Sequence, residues 1–155
     1  MRFDRKRCAP AAWCLLLAFA ACGCSDDALT SPTALKMKGL ANAYLDHFVG
    51  VGDAPADEQA LKKHMRGLRA SVQYDYKIDP TNIDASFISE RDNEPLVVVY
   101  GQGIGKISGD SKHVIAHEKT GKNGKRLVVF ASTKVDHVNE AELERLKAAK
   151  DNEKK

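Results

Sequence analysis

The sequence predicts an α+β domain, with N-terminal helices packed on one face of a three- to four-stranded antiparallel sheet, and a C-terminal helix. Two textures carry that expectation. From Thr33 to Leu68 the apolar residues recur at three- and four-residue steps, the period of a helix with one buried stripe. After Pro95 they gather into short β-branched runs, as strands do. Helices first and strands afterwards is the order of an α+β fold, in which a helical layer covers a sheet face.

The first helix places Met37, Leu40, Ala41, Tyr44, Leu45 and Phe48 on one stripe. Ser31 or Thr33 can cap its start, Pro32 suits its first turn, and Gly50 and Gly52 end it. Pro55 opens a second helix, with Asp57 and Glu58 near its positive end and Leu61, Met65 and Leu68 as its stripe. Ala70 to Lys77 is ambiguous. Asp79-Pro80 starts a brief helical segment reaching Phe87, and Arg91 to Pro95 is a polar turn. Strands are expected at Leu96–Tyr100, His113–Glu118 and Arg126–Ala131, with Lys134–Val138 as a short fourth. Asn123-Gly124 joins the second and third, because both residues tolerate positive φ. Asn139 caps the final helix, Glu142 completes a capping box, and Val138 with Leu143 forms a hydrophobic staple. Leu143 and Leu146 face the core, and 150–155 reads as a disordered charged tail.

Upstream of the domain, Met1 to Arg7 is a basic segment followed by an apolar run, Cys8 to Ala21, that includes Trp13, Leu15, Leu16, Leu17 and Phe19. About 14 residues interrupted by Pro10 is too short to span a bilayer, which takes roughly 20. The three-part pattern is that of an export signal covering 1–23. Small residues before a cysteine then resemble the lipobox of bacterial lipoproteins, in which the thiol is acylated, with palmitate or another fatty acid. Cys24, after Ala21-Cys22-Gly23, is the preferred lipidation site. Cys22, after Phe19-Ala20-Ala21, is the alternative. Neither has the usual Leu three residues before the cysteine, and cleavage after Ala18-Phe19-Ala20 would instead release a soluble product. Residues 24–32 read as a polar tether and 33–149 as the folded domain.

The leader also accounts for the charge. The chain has 24 basic and 21 acidic groups, and residues 1–23 hold four of the former (Arg2, Arg5, Lys6, Arg7) and one of the latter (Asp4). Twenty of each remain. A formally neutral domain does not favour nucleic acid as a partner, since such binding neutralises phosphates with a basic stripe. Lys106, Lys112, Lys122, Lys125 and Arg126 form the only candidate patch. All four cysteines, Cys8, Cys14, Cys22 and Cys24, lie at or before residue 24, outside the folded domain, so disulfides cannot hold it. Stability must come from burial, for which roughly 130 residues suffice.

The candidate chemistry is sparse. His113-Val-Ile-Ala-His117-Glu118 places its acid after the second His, unlike H-E-x-x-H, and Val114 and Ile115 favour a strand. Residues four apart in a strand share a face but lie about 13 Å apart, too far for one ion. Gly101-Gln-Gly103-Ile-Gly105 follows a strand but leads into no helix and no Lys-Ser pair, so it reads as a loop and not a phosphate cradle. Ser86, Ser89, Ser108 and Ser111 occupy no nucleophile elbow. Asp75, Asp79, Asp84, Glu90, Asp92 and Glu94, near Tyr74, Tyr76 and Arg91, could bind calcium or a sugar, although capping and turn solvation account for them more simply. No catalytic residue, cofactor or metal ligand set is expected.

The stretches Ile78–Gly101, Val114–Lys119 and Gly124–Phe130 resemble a group of uncharacterised bacterial secreted proteins related to pseudopilins, over about residues 35 to 147. The resemblance implies a pilin-like arrangement of a helix on an antiparallel sheet and a place in the cell envelope. It supplies no catalytic residues. Pilin subunits keep a long apolar N-terminal helix that builds the filament core, whereas here the apolar segment is expected to be removed. The expectation is therefore a non-enzymatic, lipid-anchored envelope protein with a protein partner and a membrane, periplasmic or surface-facing. The alternative is a small-ligand or metal-binding module, hydrolytic in one version, built on the 75–94 acids or on His113 and His117.

Overall fold

The computed structural model of the chain describes residues 29–101 and 111–152. The export signal, both candidate lipidation sites Cys24 and Cys22, most of the Gly101–Gly105 loop, Ser108 and Lys106 lie outside the described residues. Among the described residues the elements follow in the order α1 (Pro32–Val51), α2 (Glu58–Gly67), α3 (Ala70–Asp75), a 3-10 turn (Ile83–Phe87), β1 (Val97–Val98), β2 (Val114–His117), β3 (Arg126–Phe130), β4 (Val135–Val138) and α4 (Glu140–Asn152). The strands form one antiparallel sheet in the order β1-β2-β3-β4, a meander of consecutive neighbours. This is the α+β class.

α1 begins where its caps put it. Ser31 is the N-cap, its hydroxyl accepting from the Ala34 amide, and Pro32 occupies the first turn, where no amide donor is needed. Gly52 closes the helix in the left-handed region at φ 84°. Met37, Leu40, Ala41 and Tyr44 are buried, while Leu45 and Phe48 pack against the core from its rim. Leu29 was expected in the unpacked tether, yet it too packs on this core. It is the one large apolar side chain of residues 25–32, and burying it is favourable wherever the chain passes a core edge.

α2 starts three residues later than Pro55, because Asp57 supplies the cap by accepting from Ala60 N at 2.8 Å. Leu61 and Met65 are buried and Leu68 partly so. The ambiguous stretch after it is a short helix, α3, whose buried Gln73 donates to the Met65 carbonyl at 2.9 Å. Lys62 ties α2 to the 3-10 turn: it pairs with Glu58 and with Asp84 (2.7 Å), and its ammonium lies 5.0 Å from the Phe87 ring centre. The 3-10 turn is capped by Asn82 and not by Asp79, whose carboxylate accepts from Thr81 N and Oγ1 instead.

The sheet is buried on both faces. Along β3 the side chains alternate: Leu127 and Val129 join the core under α1, and Val128 and Phe130 join a second cluster with Val114, Val138 and Leu143. α4 thus covers the face opposite the N-terminal helices, giving three layers where a single helical layer was expected. The staple pair Val138 and Leu143 builds that second core, and Asn139 caps α4 by accepting from Glu142 N at 2.9 Å. The helix continues to Asn152, past the expected boundary at 149. At the β2–β3 turn, Asn123 (φ 55°) and Gly124 (φ 70°) adopt the paired positive φ of a type I′ turn.

Candidate functional site

Asp79, Asp84, Glu90, Asp92 and Glu94 each have a partner of their own. Asp84 pairs with Lys62, Glu90 with Lys36 at 2.6 Å and Glu94 with Lys119 at 3.0 Å. Asp92 accepts from the amides of Glu94, Thr120 and Gly121, and these bonds hold its carboxyl below the usual range against the opposing effect of burial. The region therefore works as a set of local locks. Among the described residues no group of three His, Cys, Asp or Glu side chains could hold a metal ion.

His113 and His117 are separated by more than distance. Pairing between β2 and β3 shifts register between Val114 and Ala116, so one extra residue sits in β2. Val114 belongs to the second core, whereas Ile115 and Ala116 both belong to the first. This bulge breaks the period-two relation on which a shared face would rest. His117 is buried, with Nδ1 2.8 Å from the Glu118 carbonyl, and burial pushes its pKa below the usual imidazole value. In the basic patch, Arg126 is paired with Glu140 of α4.

Glu118 is the polar residue whose role the sequence hid. Its side chain is fully buried and accepts from Ser89 Oγ at 2.9 Å, Arg91 Nη1 at 2.7 Å and Leu127 N at 2.8 Å. Ser89 is itself fully buried, and Thr33, also buried, accepts from Glu90 N at 2.9 Å. The N-terminus of α1, the turn 88–95 and the β2–β3 hairpin are joined in one network. Every acceptor bond of Glu118 is made to this protein's own groups, which is the arrangement of a structural lock. A glutamate ending an apolar strand was the available signal.

A concave feature lies at the far end of α1. A cleft of about 470 Å³ between α1 and α2 is lined by His47, Val51, Ala60, Lys63, His64, Gly67 and Leu68. Val49 and Val51 beside it are 76% and 65% exposed. Within it His64 Nε2 lies 2.9 Å from Asp46 Oδ2, His47 Nδ1 lies 3.1 Å from the Asp53 carbonyl, and the two imidazoles meet edge to face with centres 5.1 Å apart. Neither histidine was singled out in the sequence, because each sits in a different helix with 16 residues between them. Only packing brings them together.

A second cleft of about 370 Å³ is lined by Phe130, Val138 and Leu146 with Lys112, Lys134, Asp136 and Glu142 at its edge, mixing charges of both signs. No helix among the described residues is long and apolar enough to cross a membrane. No protein-family model, curated protein or solved structure matches the chain.

Proposed function

We propose that this chain is a lipid-anchored protein of the bacterial cell envelope whose pilin-like α+β domain binds a protein partner and carries out no chemistry of its own. The observation that carries the reading is the polarity of α1. Its first turn lies just after the segment that would follow an acylated Cys24, and its 20 residues span about 30 Å. The exposed Val49 and Val51 and the α1–α2 cleft are at the opposite end. An anchored domain built this way presents an apolar surface away from the bilayer, where another envelope protein can cover it. The self-satisfied acids of the 75–94 region weigh against the ligand-binding alternative placed there.

Two measurements test this together. Mass spectrometry of the mature N-terminus is expected to find an acylated Cys24, and an unacylated α-amino group would refute the anchor. A photo-crosslinking residue at Val49 or Val51 in intact cells is expected to capture a discrete envelope protein that the same residue at exposed Lys134 does not. Identical labelling from both positions would remove the interaction role.

A further inference from the structure

We infer that the domain rests on an anionic lipid bilayer through the surface formed by the start of α1, the turn 88–95 and the β2–β3 hairpin, with Lys122 and Lys125 against the lipid headgroups. This rests on the acylated Cys24 proposed above, and adds which face of the domain meets the membrane and which lipids it selects.

Chain length sets the face. Leu29 packs on the main core, and it stands five residues after Cys24. Fully extended, those five steps reach at most about 18 Å. The 20 residues of α1 span about 30 Å, so an anchored domain meets the bilayer with the end from which α1 starts. Hydrogen bonds and an ion pair bring the hairpin to that end. Glu90 N donates to Thr33 Oγ1, Lys36 pairs with Glu90, and Asp92 accepts from the Thr120 and Gly121 amides.

The charges on this surface do not balance once their partners are counted. Glu90 is paired with Lys36, Glu94 with Lys119 and Glu118 with Arg91, while Asp92 is held by backbone amides. Lys122 and Lys125 are exposed at the hairpin tip and, among the described residues, in no ion pair. Their backbones are bonded to each other, Lys122 N to Lys125 O at 2.9 Å, so the tight turn presents both ammonium groups together. Each lysine near an anionic membrane surface strengthens contact about fivefold. Apolar side chains accompany them at this end. Leu35 in α1, Ile88 at the turn and Val97 at the start of β1 are 44%, 37% and 38% exposed. Membrane-resting surfaces combine the two kinds of residue, the apolar ones entering the headgroup boundary and the lysines neutralising anionic lipid.

The test places the mature chain, purified from cells, in phosphatidylcholine vesicles with or without phosphatidylglycerol and carrying a headgroup-linked quencher. The native cysteines all lie at or before residue 24, so Thr120→Cys or Val51→Cys supplies the one free thiol of the acylated chain for a fluorophore. The probe at residue 120 is expected to be quenched more strongly than the probe at residue 51, and more so with phosphatidylglycerol present. Lys122→Glu combined with Lys125→Glu should abolish the phosphatidylglycerol-dependent part, with circular dichroism confirming that the variant is folded. Equal quenching at the two positions, stronger quenching at residue 51, or quenching at residue 120 indifferent to both phosphatidylglycerol and the double reversal would overturn the contact. Mass spectrometry of the same sample separates the two readings. An acylated Cys24 without quenching at residue 120 refutes the membrane face alone, whereas an unacylated chain refutes the anchor and this inference with it.

Discussion

Arg91 donates to Glu118 across 2.7 Å, with the guanidinium mostly covered and the carboxylate wholly buried. The pair bridges the turn 88–95 and the end of β2, two segments far apart in sequence. A buried ion pair is not by itself a source of stability, because desolvation offsets the attraction, but removing one partner leaves a charge without compensation. Arg91→Ala is therefore expected to destabilise the domain by about 3 kcal/mol in urea unfolding. Glu118→Ala should cost at least as much, since it also strands the Ser89 hydroxyl and the Leu127 amide. A loss below about 1 kcal/mol for both would show that the network is dispensable.

Two glycines of α1 should respond with opposite signs to the same substitution. A Cβ at Gly39 would run into the carbonyl of Tyr76, where α1 and the chain after α3 pass backbone to backbone. Gly39→Ala is expected to destabilise by about 1–3 kcal/mol, the cost of forcing packed backbone apart. Around Gly50 there is nothing within 4 Å. Gly50→Ala should stabilise by up to about 1 kcal/mol through helix propensity and a less flexible unfolded chain. Thermal melts of the two variants read the contrast directly.

The second core supplies a further test. Leu143 is fully buried among Val114, Val128, Phe130 and Val138, although it lies on a helix that is otherwise largely charged. Leu143→Ala is expected to cost about 2–4 kcal/mol, as a cavity in a core does, and Leu146→Ala, only partly buried, less. If both substitutions were neutral in denaturant unfolding, α4 would not be part of the cooperative fold.

What the sequence made legible was local. Caps at Ser31 and Asn139, the left-handed Gly52, the Asn123-Gly124 turn and the α1 stripe all follow from neighbouring residues, and each is where the pattern placed it. The layer arrangement was harder to see because β3, Arg-Leu-Val-Val-Phe, has no polar alternation to announce which face is covered; both are. The bulge at β2 changes which histidines can meet, and no residue in Val-Ile-Ala-His marks it. The buried role of Glu118 and the pairing of His47 with His64 could not be read for a common reason. Their partners come from segments joined only by packing, and a charge deep in a core is unexpected until its hydrogen bonds are known.

The buried His117 gives the fold a pH dependence whose sign can be worked out. Burial lowers its pKa in the folded state, Lys147 and Arg126 push the same way, and the Glu118 carbonyl and Glu140 oppose them with smaller effect. The unfolded chain takes up a proton near the ordinary value of 6.5, while the folded chain waits for a lower pH. Between those two values the unfolded state binds more protons, so stability rises with pH. It is expected to be fully present above about pH 7 and to decline as pH falls through 6.5. Asp79, Asp84, Asp92 and Glu144 also have lowered pKa values, but their contribution is lost only as pH falls below their ordinary values of 3.8 and 4.5. The two effects therefore occupy separate windows. Urea midpoints measured between pH 5 and 8 should slope upward for the parent and flatten for His117→Gln, with the fall in stronger acid retained by both. An unchanged slope in His117→Gln would assign the dependence to another histidine.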